Sequence, residues 1–276
     1  SSFITIAIVA ASLFFTDKKY YNFNNVSYFW LPSLGSSFAL MYDGMGRMLC
    51  LLTSLAFSLA FLSTYNKSYP KANSFYGLML LMQSGLIGVF CAMDALVFYF
   101  FWELALIPAY FLSSRWGGER RIQTTFKFFV YTFAGSLLLL IGIIYVYLHT
   151  PDLTFSLRSF MDTKLPAEKE KMVFWLFFIA FAIKMPVFPF HTWQPDAYEQ
   201  APTSVTMILS GVMVKMGVFA VIRWLIPVFP YASQIFANVI IILAVTGMIY
   251  ASCIAWMQDD LKRLVAYSSI VHIGLM

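Results

Sequence analysis

Charge is the scarce ingredient of this 276-residue chain: 18 Lys and Arg with 13 Asp and Glu make up 11% of it. A soluble globular domain carries about 25% charged residues, so this chain has too few to coat a water-facing surface of its size. No polar stretch is long enough to bury a core of its own, which excludes a separate soluble domain. The low-hydrophobicity, high-charge composition of disordered chains is absent too. Cysteine is down to three, Cys50, Cys91 and Cys253, far apart and set in apolar sequence. No Cys-x-x-Cys exists, so iron–sulfur and zinc centres have no ligands, and small buried apolar residues are the favoured reading. There is no Gly-x-Gly-x-x-Gly after a strand, no Walker loop, and no pair of histidines on one helix at haem-ligand spacing. The chain thus encodes no visible redox centre, nucleotide site, metal site or nucleophile triad, and no cofactor of its own is expected.

What is there is apolar sequence, 61% of the residues, with 19% aromatic. Its runs have helical length, where a membrane β-barrel would show roughly ten-residue alternating segments. The fold class expected is an all-α integral membrane protein, a polytopic helical bundle. A spanning helix needs about 20 mostly apolar residues. On that rule a partial run occupies Phe3–Phe15, and full spans are predicted at Met45–Tyr65, Phe75–Met93, Ala95–Ser113, Thr124–Leu148, Val173–Phe190, Thr203–Pro227 and Ile235–Met257. A last run, Leu264–Met276, is cut short. The chain begins at Ser1 without methionine and stops inside that run, so truncation at both ends is expected. The opening run lacks a basic flank and a small-residue cleavage site and is not read as a signal peptide.

The connectors differ in character. Asp17–Gly44 is long and rich in Asn, Ser and aromatics around a Pro32–Gly35 turn, suited to a short hairpin at the membrane surface. Asp94 alone separates two runs, implying a tight helical hairpin. The net charge of +5 needs no nucleic-acid partner, because the basic residues sit mostly in connectors. Alternation places Lys67, Lys71, Arg115, Arg120, Arg121, Lys262 and Arg263 at one face. Lys18, Lys19, Arg158, Lys164, Lys169 and Lys171 fall at the other, in the two long loops. Long loops count for less, so the first face is assigned to the cytoplasm.

Three ionisable residues escape the connectors: Glu103 in FYFFWELALIP, Lys184 in FFIAFAIKMPVFPF and Lys215 in SGVMVKMGVF. Each costs about 2.5–3.5 kcal/mol at a helix centre on insertion scales. Snorkelling rescues lysines near helix ends, but Lys215 sits about twelve residues from each end of its expected span, and Glu103 is too short. A structural ion pair would explain one such charge. Three, with both signs present, favour a polar pathway inside the bundle. Pro108 frees the carbonyl of Leu104, and Pro186 and Pro189 free those of Ala182 and Met185. Backbone unpaired at membrane depth is tolerated only where protein or a water-filled cavity satisfies it, so a broken helix is predicted directly after Lys184. Gly211, one turn before Lys215, leaves room for water or a close helix. His191 follows the break and is equally suited to a pathway or to a capping hydrogen bond. His272, one turn after Ser268 and Ser269, favours the pathway; His149, at a span end before Pro151, is read as structural.

The stretch FPFHTWQPDAYEQAPTSVTMILSGVMVKMGVFAVIRW resembles the signature of the proton-conducting antiporter-like membrane family. That family contains membrane subunits of NADH–quinone oxidoreductase (respiratory complex I) and of multi-subunit cation/proton antiporters. FYFFWELALIPAYFL, RWGGERRIQTTFKFFVYTFAGSLLLL and LKRLVAYSSIVHIG look most like the M-type (mitochondrial subunit 4-type) branch of the complex I members, from about Tyr42 onward. The resemblance implies a proton-translocating subunit whose conducting residues fall on Glu103, Lys184, Lys215 and His272, with His191 on the same path. It also implies two inverted five-helix repeats. Residues 1–74 would be N-terminal partial and accessory helices with the polar loop 17–44, 75–227 the first repeat, and 228–276 the start of the second. Flavin and iron–sulfur clusters are expected in partner subunits, and the partners are the other membrane subunits of the complex and the lipid bilayer. The location implied is the bacterial inner membrane, with the mitochondrial inner membrane as the alternative. An antiporter or membrane-bound hydrogenase subunit, and a structural membrane scaffold, are the competing functions. The usual HTWLPDAH reads HTWQPDAY here, so Gln194 and Tyr198 replace leucine and histidine, which weakens any role of this loop in proton uptake.

Overall fold

Scarce acidic residues start the helices of this bundle. In the computed structural model, which describes residues 4–6 and 25–276, Asp43, Asp94 and Asp260 each accept backbone N–H groups at a helix N-terminus. These are donors that a helix cannot pair internally. Asp43 opens α1 (Gly44–Ser63), Asp94 opens α3 (Ala95–Trp116), and Asp260 opens α10 (Leu261–Leu275). Between them lie α2 (Ala72–Cys91), α4 (Arg121–Tyr147), the short α5 (Leu157–Asp162), α6 (Ala167–Lys184), α7 (Gln194–Gln200), α8 (Thr203–Val228) and α9 (Pro230–Trp256). Six of these, α1, α2, α3, α4, α8 and α9, are long and apolar enough to cross a membrane. The chain is an integral membrane protein. The run expected at Phe3–Phe15 falls outside the described residues except for 4–6, as do Lys18 and Lys19.

One expected span is corrected. Val173–Phe190 is not an unbroken helix: α6 begins earlier, at Ala167, and ends at Lys184, and turns follow to Trp193. Its apolar part is therefore too short to cross a bilayer alone. The break itself lies where Pro186 and Pro189 predict it. The carbonyls near it are not left bare. Val187 N donates to Ala182 O at 2.9 Å, and the buried indole of Trp193 donates to Ile183 O at 2.9 Å. The protein itself satisfies these backbone groups, as membrane depth demands.

The hairpin suggested by the Pro32–Gly35 turn is present: β1 (Asn25–Leu31) pairs antiparallel with β2 (Ser36–Met41). Gly35 takes the left-handed conformation at φ 67°, and the backbone carbonyl of Leu153 occupies the space a Cβ would need. Asp94 ties this hairpin to the α2–α3 turn. Its carboxylate accepts from Ser36 Oγ and Ser37 N, both at 3.1 Å, while capping α3 through Leu96 N and Val97 N.

The core is aromatic and aliphatic, drawn from α1 to α4, α6, α7 with the turn before it, and α8, with Trp102, Trp193, Trp224 and Tyr198 among its fully buried side chains. The helix α9 buries little of itself and packs chiefly on α10. Contacts confirm the alternation of connectors. Trp116 reaches Pro70 O at 2.8 Å, and Lys262 reaches Ala201 O at 2.7 Å, gathering the 64–71, 117–120, 201–202 and 257–260 connectors at one end. The hairpin and the Arg223–Asp43 ion pair lie at the other.

Candidate functional site

Helix α8 carries the first half of the site and departs from regular α geometry to do so. Two π-helical turns, Leu209–Met213 and Val221–Leu225, flank the α-helical stretch Val214–Ala220 that holds Lys215. In a π turn the backbone bonds five residues apart, as Val214 N does with Leu209 O, and such turns recur at functional sites. Lys215 Nζ donates to Ser210 O at 2.6 Å. Half-buried, it borders a cavity of about 270 Å³ lined also by Ser210, Gly211, Ser268, Ser269 and His272. Ser268, Ser269 and His272 fall on one face of α10, one turn apart. A Cβ at Gly211 would meet nothing within 4 Å, so of the two uses open to that glycine, the structure shows space rather than a close helix. The close approach occurs instead at Gly217, where a Cβ would lie 2.8 Å from Met185 Cβ and 3.0 Å from Met185 N. That glycine lets α8 press against the broken end of α6.

The second half of the site is drier. Lys184, the last residue of α6, is 2% exposed. Its ammonium has no hydrogen-bond partner and lies 5.5 Å from the centroid of the Trp102 ring, a cation–π contact. The Glu103 carboxylate, next along α3, acts on it electrostatically. Glu103 is half-buried, and its Oε1 also lacks a partner. The two charges therefore influence each other in apolar surroundings without closing an ion pair. Tyr99, one turn before Glu103, lies in the field of that carboxylate and interacts with Ser136 on α4. Lys184 does not line the Lys215–His272 cavity. The sequence-derived residues thus fall into two groups, Glu103 with Lys184 and Lys215 with His272. His191 belongs to neither: it is 4% exposed, stacks on Phe188 at 5.7 Å and packs against Tyr250 at 5.3 Å, with Nδ1 unpartnered.

Sequence reasoning passed over an ionic clasp that holds α7 in place. Asp196 pairs with Lys127 on α4 at 2.8 Å and with Arg263 on α10 at 3.2 Å. Glu199 pairs with Arg263 at 2.8 Å and Arg120 at 2.7 Å. Arg263 and Arg120 beside it hold the Glu199 carboxyl below the usual carboxylate range. Their sequence separation, more than 60 residues in each pair, left no local signal. Among the described residues no group of three or more His, Cys, Asp or Glu side chains is placed to hold a metal ion.

This arrangement sits inside a stretch, residues 92–276, that matches the family model described as "NADH:quinone oxidoreductase/Mrp antiporter, TM". The chain belongs to this family. Its curated relatives include NADH-quinone oxidoreductase subunit M of Rickettsia typhi, 39% identical over 99% of this chain and 56% of that protein. NAD(P)H-quinone oxidoreductase chain 4 of Acaryochloris marina is 42% identical over 90% of this chain and 46% of that protein. Among solved structures, respiratory complex I from Thermus thermophilus with bound NADH superposes with a TM-score of 0.83 at 33% identity, over 91% of this chain and 53% of that one. The Mrp complex from Dietzia superposes at 0.80 with 25% identity, over 91% of this chain and 28% of that one. The chain spans about half the length of the curated relatives it matches.

Proposed function

We propose that this chain is a proton-translocating membrane subunit of an NADH–quinone oxidoreductase of the bacterial inner membrane. One observation carries the reading. A fully enclosed lysine, Lys184, feels the field of a carboxylate, Glu103, inside an apolar bundle, with unsatisfied polar atoms on both. Ionisable groups at membrane depth are costly and mark conduction paths by default. A pair left open, without a closing salt bridge, is able to change partners as protons arrive and leave. Lys215, the two serines and His272 supply the next polar station. Residues 75–227 then act as the first five-helix repeat and 228–276 as the start of the second. The chain supplies charges and water space. The NADH oxidation that drives it belongs to partner subunits holding flavin and iron–sulfur clusters, with neighbouring membrane subunits completing the path.

The test is made on the reconstituted parent complex in vesicles. Glu103→Gln, Lys184→Ala and Lys215→Ala are each expected to abolish or severely cut proton pumping while the complex still assembles. Pumping that survives all three changes would make the chain a scaffold. The likeness to the Mrp complex favours a second reading, a cation/proton antiporter subunit. Co-purification settles it: flavin and iron–sulfur subunits accompany the chain on the first reading and are missing on the second.

A further inference from the structure

Two of the three cysteines touch. Cys50, in the second turn of α1, and Cys91, the last residue of α2, are 41 residues apart in the chain, yet their sulfurs lie 3.7 Å apart. They are 0% and 9% exposed, whereas Cys253 on α9 is exposed. A disulfide joins its sulfurs at about 2.05 Å and needs Cα atoms within roughly 7 Å. The two backbones are already close. A Cβ at Gly46, one turn before Cys50, would lie 2.9 Å from the carbonyl oxygen of Phe90, next to Cys91. Each cysteine swings its sulfur on a single Cα–Cβ bond, so side-chain rotation closes the remaining gap. The position in the bilayer suits that bond. Cys91 runs straight into the turn that meets the hairpin, where Met93 N donates to Ala39 O at 3.0 Å and Ala92 bridges to Leu40. This is the end opposite the gathered basic connectors, hence the extracytoplasmic side, where disulfides form and persist.

We propose that Cys50 and Cys91 are a disulfide-forming pair that staples α1 to α2 at the extracytoplasmic end. The oxidant is a disulfide of that compartment, met before the hairpin closes over the thiols. The Cys91 thiolate attacks one oxidant sulfur, and the other leaves as a thiolate. The Cys50 thiolate then attacks Cys91 Sγ and expels the second oxidant sulfur. The pair gives up two electrons and two protons, and the oxidant ends as a dithiol. The staple goes beyond the conduction reading and does not depend on it. What it holds is α1, which packs on α2 and also along the start of α8, including the π turn Leu209–Met213 that carries Ser210. Joining the two helices removes freedom from the unfolded chain, so α1 is harder to peel away from that turn.

The experiment uses the whole complex in its native membranes, prepared without reductant, denatured in an alkylating reagent and digested. The expected product is a linked pair of peptides containing Cys50 and Cys91, lighter than the free peptides by the two hydrogens lost. Cys253, which is exposed, is expected to be alkylated and serves as the internal control. Alkylation of both Cys50 and Cys91 overturns the proposal. Reductant added to the native complex is expected to quicken hydrogen exchange in the first turns of α1 about tenfold or more, as the staple is lost. Cys50→Ala is expected to show the quicker exchange with or without reductant and to leave Cys91 open to alkylation. Exchange indifferent to reductant in the unaltered chain also overturns the proposal, because the bond would then hold nothing. If Cys50→Ala does not assemble, the unaltered chain decides through its peptides and its response to reductant.

Discussion

Trp193 reaches back across the break after Lys184 and donates its indole N–H to the carbonyl of Ile183 at 2.9 Å. That carbonyl belongs to a buried residue, Ile183, and its donor Trp193 is buried too. Trp193→Phe keeps the aromatic packing against Phe128 but strands the acceptor. We expect a loss of about 1–3 kcal/mol in stability, read as a lower unfolding midpoint in detergent, together with faster hydrogen exchange across 185–193.

The Glu103–Lys184 arrangement works against the stability of the bundle. Burying two charges costs more than their attraction returns, and an apolar or neutral pair of similar volume is commonly more stable by about 1–4 kcal/mol. The double change Glu103→Gln with Lys184→Met is therefore expected to raise the unfolding midpoint while pumping is lost. A double variant that is both less stable and inactive would show that the charges hold the bundle together.

Asp94 accepts four hydrogen bonds, two that anchor the surface hairpin and two that cap α3. Asp94→Ala removes the cap of α3 and the tether together. A lost cap alone costs about 1 kcal/mol. The β1–β2 turn around Gly35 is expected to become the first site cut in limited proteolysis, with the transmembrane helices still protected.

The clasp on α7 carries a pH signature. Its carboxylate, Glu199, has a folded-state pKa below the ordinary value, owing first to Arg263. A depressed carboxylate adds stability that is fully present above the ordinary value and is lost as pH falls through the depressed one. Hydrogen exchange in Gln194–Gln200 is therefore expected to be slow at neutral pH and to quicken only under acid conditions. Glu199→Gln is expected to abolish that transition. Because the pairs are partly exposed, high salt is expected to weaken the clasp in the same direction.

Much of the fold was legible because hydrophobic run length sets where membrane helices lie: α3 begins at Ala95 as expected, and the Asp94 turn is as tight as one separating residue suggests. The break after Lys184 was legible from Pro186 and Pro189. Its repair was not, since Trp193 and Val187 are recruited by geometry that no local pattern encodes. The buried ionisable residues announced themselves by their cost. Their division into a Glu103–Lys184 group and a Lys215–His272 group did not, because which helix faces face each other depends on packing across more than 50 residues of chain. The clasp was hidden for the same reason: Asp196 and Glu199 read as ordinary connector charges until Arg263 and Lys127 are brought beside them. The π turns in α8 were not read either: Gly211 inside the first and Pro227 just after the second mark irregularity without specifying a π turn.

The π turn at Leu209–Met213 amounts to one residue more than an α-helix of the same span needs. Such a surplus is removable. Deleting one residue there would let the ladder close as ordinary α-helix, and the flanking faces would keep their bearings, with Gly217 still against Met185. The bond from Lys215 to Ser210 is what such a healed helix would forfeit, because the carbonyl that steadies the ammonium would be taken into the ladder. One surplus residue in the helix thus decides whether this lysine is tethered or left to swing.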